Sequence, residues 1–311
     1  MADEYKYSLS QCDMPSERRK TLQMFRDKRK LWLSWIDHDE HHGIGSVVSS
    51  MVWSDVSIRT LSQIAMTNEN SALNNSLVTE GLVNGYIATQ VLAIRRLMDN
   101  RGDVISLRRL VKDVQSNIKL FTRENYVCFD GLPYDYEAVG RVVADSRKSD
   151  IFWSDSSGPM AFGASQMAHE WFDSLTGIKP QNRNRQDCLS ASRLKTIESW
   201  LDESAAEELA NWSHAFLAHA GSLEVRSKFT NAGPTLNKIS EAIKILAKAT
   251  ESILSWFLYS GRFKGSLMPA AQFNQFEKMN FPVLMPDLAD KAVESWSQLG
   301  AERDRWLDDM D

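Results

Sequence analysis

The apolar positions of this chain recur mostly at steps of three and four residues, the spacing of one face of an α-helix. The clearest case is a helix predicted over 77–98, whose apolar stripe is formed by Val83, Ile87, Val91, Ile94 and Met98. No segment sustains the alternation of apolar and polar residues that a half-buried strand requires. The pattern therefore predicts an all-α protein.

Further helices are predicted at 16–36, 55–65, 106–120, 189–220, 235–258 and 286–307. In the helix at 235–258 the apolar positions form a nearly unbroken seam of Leu236, Ile239, Ile243, Leu246, Ile253 and Phe257. Such a seam indicates either a helical bundle or a dimer whose helices meet along it. We expect a helical bundle, whose seam either is buried within one chain or joins two copies of it.

The helical period is lost between residues 122 and 188, where turn-forming and aromatic residues dominate. We interpret this stretch as an irregular central insertion with short helices at 136–145 and 163–175. The predicted regions are an N-terminal helical region (1–70), the bundle (71–121 and 189–260), the insertion (122–188) and a C-terminal loop and helix (261–311).

Composition indicates a globular protein, since the 311 residues are 43% hydrophobic and 25% charged. A formal net charge of −5 argues against a protein that coats nucleic acid through its overall field, although local basic patches can still bind it. The three scattered cysteines fit a reducing compartment. With no signal-like N-terminus and no apolar run of about 18 residues, we expect a cytoplasmic protein without a membrane span. No sequence motif indicates a cofactor.

The first helix carries seven Lys or Arg residues and one Asp between positions 18 and 30. Such a face is either solvated surface or a contact for nucleic-acid phosphates. As candidate RNA-binding residues we take Arg18, Arg19 and Arg26 from this helix, and Arg96 from the helix at 77–98.

Residues 37–42 combine three histidines with acidic residues, and His38 and His42 lie four positions apart. Imidazole and carboxylate groups together can hold zinc or manganese. Because Gly43 follows at once, the alternative is a helix end whose dipole favours histidine without any metal. We assign no metal site here. His169 and Glu170 lack the second histidine of a helical zinc-protease motif.

The segment from Leu209 to His219 places Leu209, Trp212, Phe216 and His219 at helical steps. On one straight helix this puts His219 on an apolar stripe. An imidazole there is either a hydrogen-bonded core residue or part of a buried site.

Two stretches resemble a known family. The first is Asn84–Asp99 followed by Asp103–Leu110, and the second is Ser213–Ser222 with the long helix after it. They are similar to the HEPN superfamily (higher eukaryotes and prokaryotes nucleotide-binding), in its abortive-infection AbiU-like branch. The resemblance covers about 73–120 and 189–258. It implies an up-and-down helical bundle from a toxin or phage-defence system, and a homodimer joined through the seam at 235–258. Many family members are metal-independent ribonucleases.

The family's signature is an arginine followed, after four to six residues, by a histidine. Here the histidine falls on His219 and the polar residue that follows the arginine falls on His214, but the arginine position is Ser213. In RNA cleavage a histidine relays a proton while a guanidinium stabilises phosphoryl charge, and a neutral hydroxyl cannot replace that cation. The loss is worth roughly 3–4 kcal/mol of the barrier.

The missing cation could be restored in two ways. One is a protonated His214, and the other is Arg95 or Arg96 on the helix at 77–98. Two functional hypotheses follow from the resemblance. In the first, the chain is a ribonuclease with a degenerate site formed by His219, His214, Ser213 and Arg95. In the second, it is a non-catalytic sensor, scaffold or binder of a protein partner from the same defence system.

Overall fold

The structure, a computed structural model, describes residues 5–37, 42–67, 70–146, 155–202, 204–218, 222–227, 233–259, 277 and 289–304. It is an all-α helical bundle, which confirms the predicted fold class. No β-strand forms in the described ranges, where one isolated bridge pairs Thr122 with Cys188. The helices are α1 (Arg19–Asp37), α2 (Ile44–Thr67), α3 (Ser76–Leu97), α4 (Leu107–Ser116), α5 (Arg123–Cys128), α6 (Tyr136–Ser146), α7 (Phe162–Thr176), α8 (Ala191–Asp202), α9 (Ala205–Ser213), α10 (Leu223–Ser227), α11 (Leu236–Ile253) and α12 (Ala289–Asp304).

Several of these helices begin at a hydroxyl side chain that accepts a hydrogen bond from a backbone N–H of the first turn. Ser106, Thr122, Ser204 and Thr235 play this part for α4, α5, α9 and α11. Each cap satisfies one of the N–H groups that a helix start leaves without a partner. Local sequence therefore determines where these helices begin.

The chain forms two compact units. The first contains Met1–Ser57 and Asn84–Pro269, and the second contains Ile58–Val83 and Ala270–Asp311. This division differs from the predicted one, because it falls inside α2 and α3 and unites the predicted insertion with the bundle. In the second unit, α12 exposes the apolar side chains of Val293, Trp296 and Leu299.

The core of the first unit is organised around Phe121. Its ring stacks on Trp32 with centroids 5.5 Å apart and planes at 10°. The edges of Phe25 and Phe257 meet the same ring, at centroid distances of 5.4 and 5.5 Å. Four aromatic side chains from distant parts of the chain are thus buried together, and such pairs contribute about 0.5–1.5 kcal/mol each beyond their burial.

The apolar seam of α11 lies inside the bundle. Ile239, Leu246, Ile253 and Phe257 are each 0% exposed, and Leu236 at the helix start is half-buried. The chain itself covers this face, mainly through α9 and α8. The seam therefore serves the bundle, and a homodimer of the folded chain has to use a different surface.

Two helices end in a π-turn: α9 continues into His214–Ala218 and α11 into Leu254–Leu258. The carbonyl groups at the second turn accept hydrogen bonds from side chains of other helices. Trp171 Nε1 donates to Ser255 O over 2.8 Å, and Arg29 Nε donates to Leu258 O over 3.0 Å. These donors satisfy acceptors that a helix end leaves open.

The N-terminal segment is held against the middle of the chain by Tyr7. Its ring lies between Gly131 and Gly158, where an added Cβ would stand 2.5 Å and 2.2 Å from ring or hydroxyl atoms. Both glycines have positive φ, 83° and 90°, which only glycine adopts at no cost. Tyr7 N also donates to the carboxylate of Asp130, over 3.1 Å.

Among the described residues, α3 alone is long and apolar enough to cross a membrane, with a mean hydropathy of 1.3 over 18 residues. Its C-terminal part contributes Val91, Ile94 and Leu97 to the core of the first unit. Only 22% of that window is buried, and one helix of suitable length and composition is weak evidence for a membrane span.

Candidate functional site

The position that the resemblance assigns to arginine is buried in the structure. Ser213 is the last residue of α9, is 0% exposed, and its Oγ has no hydrogen-bond partner among the described residues. The buried side of α9 consists of Ala206, Leu209 and Ser213, and two of these residues are small enough for α11 to approach closely. The serine therefore serves helix packing and supplies no charge to a site.

The predicted apolar stripe of this segment lies partly at the surface. Leu209 is buried, but Phe216 is 36% exposed, and its ring stacks on that of Trp212 with centroids 4.8 Å apart. Leu217 is 41% exposed. The π-turn at His214–Ala218 explains the difference, because an extra residue per turn rotates the following side chains out of the α-helical stripe.

Part of the predicted catalytic set lies outside the described residues, and its assembly into one site stays a prediction. His219 lies outside the described residues. His214 is exposed in the π-turn. Arg95 is half-buried and forms no hydrogen bond or ion pair with a described residue, while Arg96 donates to the backbone carbonyl of His42 over 2.6 Å.

The basic helix α1 does not present a uniform cationic face. Arg26 is 4% exposed and donates to Phe129 O over 2.6 Å and to Tyr7 O over 2.8 Å. This guanidinium is a structural link and is not open to a phosphate. Arg18 forms an ion pair of 3.2 Å with the buried carboxylate of Glu124, and Arg19 is half-buried. RNA binding by the predicted set stays a prediction.

The candidate metal segment at 37–42 has only its two end residues in the described ranges. In the part of the chain that the structure describes, no three His, Cys, Asp or Glu side chains stand together closely enough to hold a metal ion.

A buried charged cluster, which the sequence analysis did not predict, lies in the region taken for an irregular insertion. Its centre is Arg123, which is 0% exposed and opens α5. Arg123 Nη1 pairs with Asp173 over 2.7 Å, and its Nε pairs with Asp187 over 2.9 Å. Arg183 pairs with the other oxygen of Asp173 over 2.6 Å. A guanidinium this deeply buried needs such carboxylates to compensate its desolvation.

A second branch of the same cluster surrounds Glu124, whose side chain is 1% exposed. Arg185 pairs with it over 2.6 Å and also with Asp13 over 3.1 Å, and the same guanidinium lies 4.1 Å above the ring of Tyr134. The backbone of this segment caps α5, because the N–H of Glu124 donates to Arg185 O over 3.0 Å. Segment 183–188 thus fixes α5 through side chains and backbone together.

The ionisation of this cluster follows from burial and from its ion pairs. Burial lowers the pKa of His169 to about 4, although its Nε2–H donates to Tyr134 O over 3.0 Å. Burial alone would raise the pKa of Asp173, but hydrogen bonds from Arg183 and Arg123 outweigh it and lower this pKa. Burial raises the pKa of Tyr134 to about 12. At neutral pH the cluster therefore holds ionised Asp173 beside neutral His169 and Tyr134.

Three polar atoms of this cluster are buried without a partner among the described residues: Arg123 Nη2, Tyr134 Oη and His169 Nδ1. The carboxylates and guanidinium groups around them balance in number, so no excess charge marks an ionic ligand. We take the cluster as the framework of the central region. The sequence signal for it was a capping threonine, Thr122, followed directly by charged residues.

Comparisons with family models, with curated proteins and with solved structures found no match to this chain.

Proposed function

We propose that this chain is a HEPN-like protein of a toxin or phage-defence system that acts by binding and does not cleave RNA. The observation that supports this proposal is the burial of a neutral side chain at Ser213, the position that the resemblance assigns to the catalytic arginine. Its side chain is neutral and fully buried, and no described residue forms a hydrogen bond with its hydroxyl. A cytoplasmic location belongs to the same proposal.

Cleavage by the neighbouring 2'-hydroxyl needs a cation at the phosphoryl oxygens when the transition state forms. The sequence offered His214, Arg95 and Arg96 as substitutes, and His214 is an exposed residue of the π-turn. Arg96 is committed to a backbone carbonyl, and Arg95 forms no bond that would hold it toward Ser213. Without a fixed cation, roughly 3–4 kcal/mol of transition-state stabilisation is missing, or a loss of two to three orders of magnitude in rate.

Binding is supported by the exposed aromatic surface beside this position. Phe216 and Leu217 are more than a third exposed, next to the stacked ring of Trp212. Aromatic side chains are enriched where proteins meet partners. Because the α11 seam is covered by the chain itself, this surface is our candidate for a homodimer contact or for a protein partner from the same system.

The proposal is tested by incubating the purified chain with transfer RNA and total RNA, beside His219→Ala. We expect no cleavage above that of a buffer control for either protein. Cleavage by the wild-type chain that disappears in His219→Ala would overturn the proposal and favour the ribonuclease hypothesis. Cleavage of equal strength in both samples indicates a contaminating nuclease, which a repeat after a further purification step removes.

The binding surface is tested by light scattering of Phe216→Ser and, as a matched control, Met167→Ser, which replaces an equally apolar side chain that is 64% exposed on α7. We expect the wild type and the control to be dimeric and Phe216→Ser to shift toward the monomer. A monomeric wild type at all concentrations would contradict the homodimer and leave a protein partner as the occupant.

A further inference from the structure

A row of tryptophan rings and cationic side chains lies where α7, α8 and the π-turn after α11 meet. It consists of Lys248, Trp200, Trp256, Arg193 and Trp171, and we name it the tryptophan ladder. The ammonium of Lys248 lies 3.6 Å from the ring centroid of Trp200. The rings of Trp200 and Trp256 are 6.1 Å apart at an angle of 56°. The guanidinium of Arg193 lies 5.1 Å from the ring of Trp256.

The ladder is held rigidly by hydrogen bonds to backbone atoms. Trp171 Nε1 donates to Ser255 O over 2.8 Å, beside Trp256. Arg193 donates from Nε to Leu175 O over 2.9 Å, and from Nη2 to Ser174 O over 3.2 Å. Because the last turn of α7 is capped in this way, the rings and the guanidinium are positioned before any ligand arrives. Such preorganisation reduces the entropy that binding costs.

The ladder is open to solvent, unlike the aromatic core around Phe121. Trp171 is 37% exposed, and Trp200 and Trp256 are half-buried. Lys248 is exposed, and among the described residues the ring of Trp200 is the one partner of its ammonium. All three N–H donors of this lysine are therefore available to an acceptor from outside the chain.

We infer that the tryptophan ladder binds single-stranded nucleic acid. Unpaired bases stack on aromatic rings, and neighbouring cations contact the phosphates between them. Two neighbouring rings, Trp200 and Trp256, with a cation at each end offer faces for unpaired bases and charge for the phosphates beside them. The inference relies on the proposed function only in taking the chain to act by binding, and it names what is bound.

A protein partner fits the ladder less well. A protein interface over this surface would bury the ammonium of Lys248 away from water, and a buried charge needs a matched partner. A nucleic-acid strand supplies a phosphate at every nucleotide. A duplex is excluded from stacking because its bases are already paired and stacked inside the helix. The net charge of −5 does not oppose a local contact of this kind.

The experiment titrates the full chain into a fluorescein-labelled oligouridylate of about twelve nucleotides, a length within the span of known single-strand sites. Fluorescence anisotropy reports binding. Parallel titrations use an oligodeoxythymidylate of the same length and a fully paired RNA duplex. We expect the single strands to bind, with affinity that falls as salt rises, and the duplex to bind at least tenfold more weakly. Equal binding of the RNA and DNA strands assigns recognition to bases and phosphates, and preference for RNA adds the 2'-hydroxyl.

Variants locate the contact. Trp200→Ala and Trp256→Ala are each expected to weaken binding of the oligouridylate about tenfold, the effect of losing one stacked base. Lys248→Gln should weaken it several-fold and reduce the salt dependence by about 0.7 in slope, while Lys248→Arg keeps both. The matched controls are Trp296→Ala, a tryptophan 67% exposed on α12, and Lys195→Gln, an exposed lysine on another side of α8. Both controls should bind as the wild type does.

Each result is decisive. Absence of binding to either single strand, or wild-type affinity in the ladder variants, overturns the inference. If Trp200→Ala loses its helical circular dichroism, Trp200→Phe and Lys248→Gln decide instead, because both leave the packing nearly intact. The same samples are run on a denaturing gel. Cut oligouridylate would refute the non-catalytic proposal. The inference about the tryptophan ladder would then be tested by the measured affinities alone.

Discussion

The charged cluster around Arg123 and the end of α9 at Ser213 each bury a polar side chain. They differ in the partners that this side chain has. Arg123 is compensated by Asp173 and Asp187 at hydrogen-bonding distance. Ser213 is equally buried, yet its hydroxyl has no partner. The chain thus places its fixed charges in the region predicted to be irregular and leaves the predicted catalytic position neutral. Organised charge is therefore a feature of the framework here, and it does not by itself mark an active site.

The largest expected effect comes from removing the centre of the charged cluster. Arg123→Ala leaves the partly buried Asp187 without its guanidinium and Asp173 with Arg183 alone. We expect the free energy of unfolding to fall by about 3–5 kcal/mol in urea denaturation. The matched control is Arg101→Ala, whose side chain is 67% exposed in its ion pairs and should cost less than about 1 kcal/mol. Equal losses of unfolding free energy in the two variants would contradict the claim that the buried ion pairs matter more for stability than the exposed ones.

The next effect is a dependence of stability on pH that originates in the same cluster. Burial holds the pKa of His169 at about 4, below the ordinary value of 6.5. Between these values the unfolded chain takes up a proton that the folded chain excludes, so stability is full above pH 6.5 and is lost as the pH falls. From pH 7 to pH 5 the free energy of unfolding should fall by about 2 kcal/mol.

The measurement is urea denaturation at both pH values, with His169→Gln. This variant removes the buried imidazole and should abolish most of this decrease, whatever its stability at pH 7. An undiminished slope in His169→Gln would assign the effect to other groups.

The smallest expected effect concerns the buried hydroxyl of Ser213. Because a buried hydroxyl without a partner is destabilising, Ser213→Ala should leave the free energy of unfolding unchanged or raise it by about 1 kcal/mol. Ser165 is also 0% exposed, but its hydroxyl donates to Pro133 O. Ser165→Ala should therefore lower stability by about 1 kcal/mol. A similar loss in both variants would mean that the Ser213 hydroxyl does have a partner.

The long helices were predictable because their core faces keep a single period. The helix predicted over 77–98 is observed at Ser76–Leu97, and the one predicted over 235–258 is α11 with its π-turn. Even the short helices expected at 136–145 and 163–175 are present as α6 and α7. Periodicity reports which side of a helix is buried, and these helices bury one side.

The remaining features depend on contacts between distant residues. Helix α5 has six residues, too few to display a period, and it exists because segment 183–188 caps it. Arg26 appeared as one more charge of a basic face, yet it links carbonyl groups more than a hundred positions apart in the chain. The π-turn that moves Phe216 to the surface has no local sequence signal. The periodicity of apolar residues does not identify these long-range contact partners.

The contact between Arg29 and the end of α11 has a consequence for biosynthesis. This guanidinium is 8% exposed, and the carbonyl of Leu258 that receives its Nε–H is 229 positions later. At about 5–20 residues per second, α1 leaves the ribosome roughly ten seconds or more before that acceptor exists. Throughout this interval the guanidinium of Arg29 lacks the carbonyl group that accepts its hydrogen bond in the folded chain. A nascent chain arrested before Leu258 should therefore be cut readily by trypsin at Arg29, and release of the finished chain should close that site.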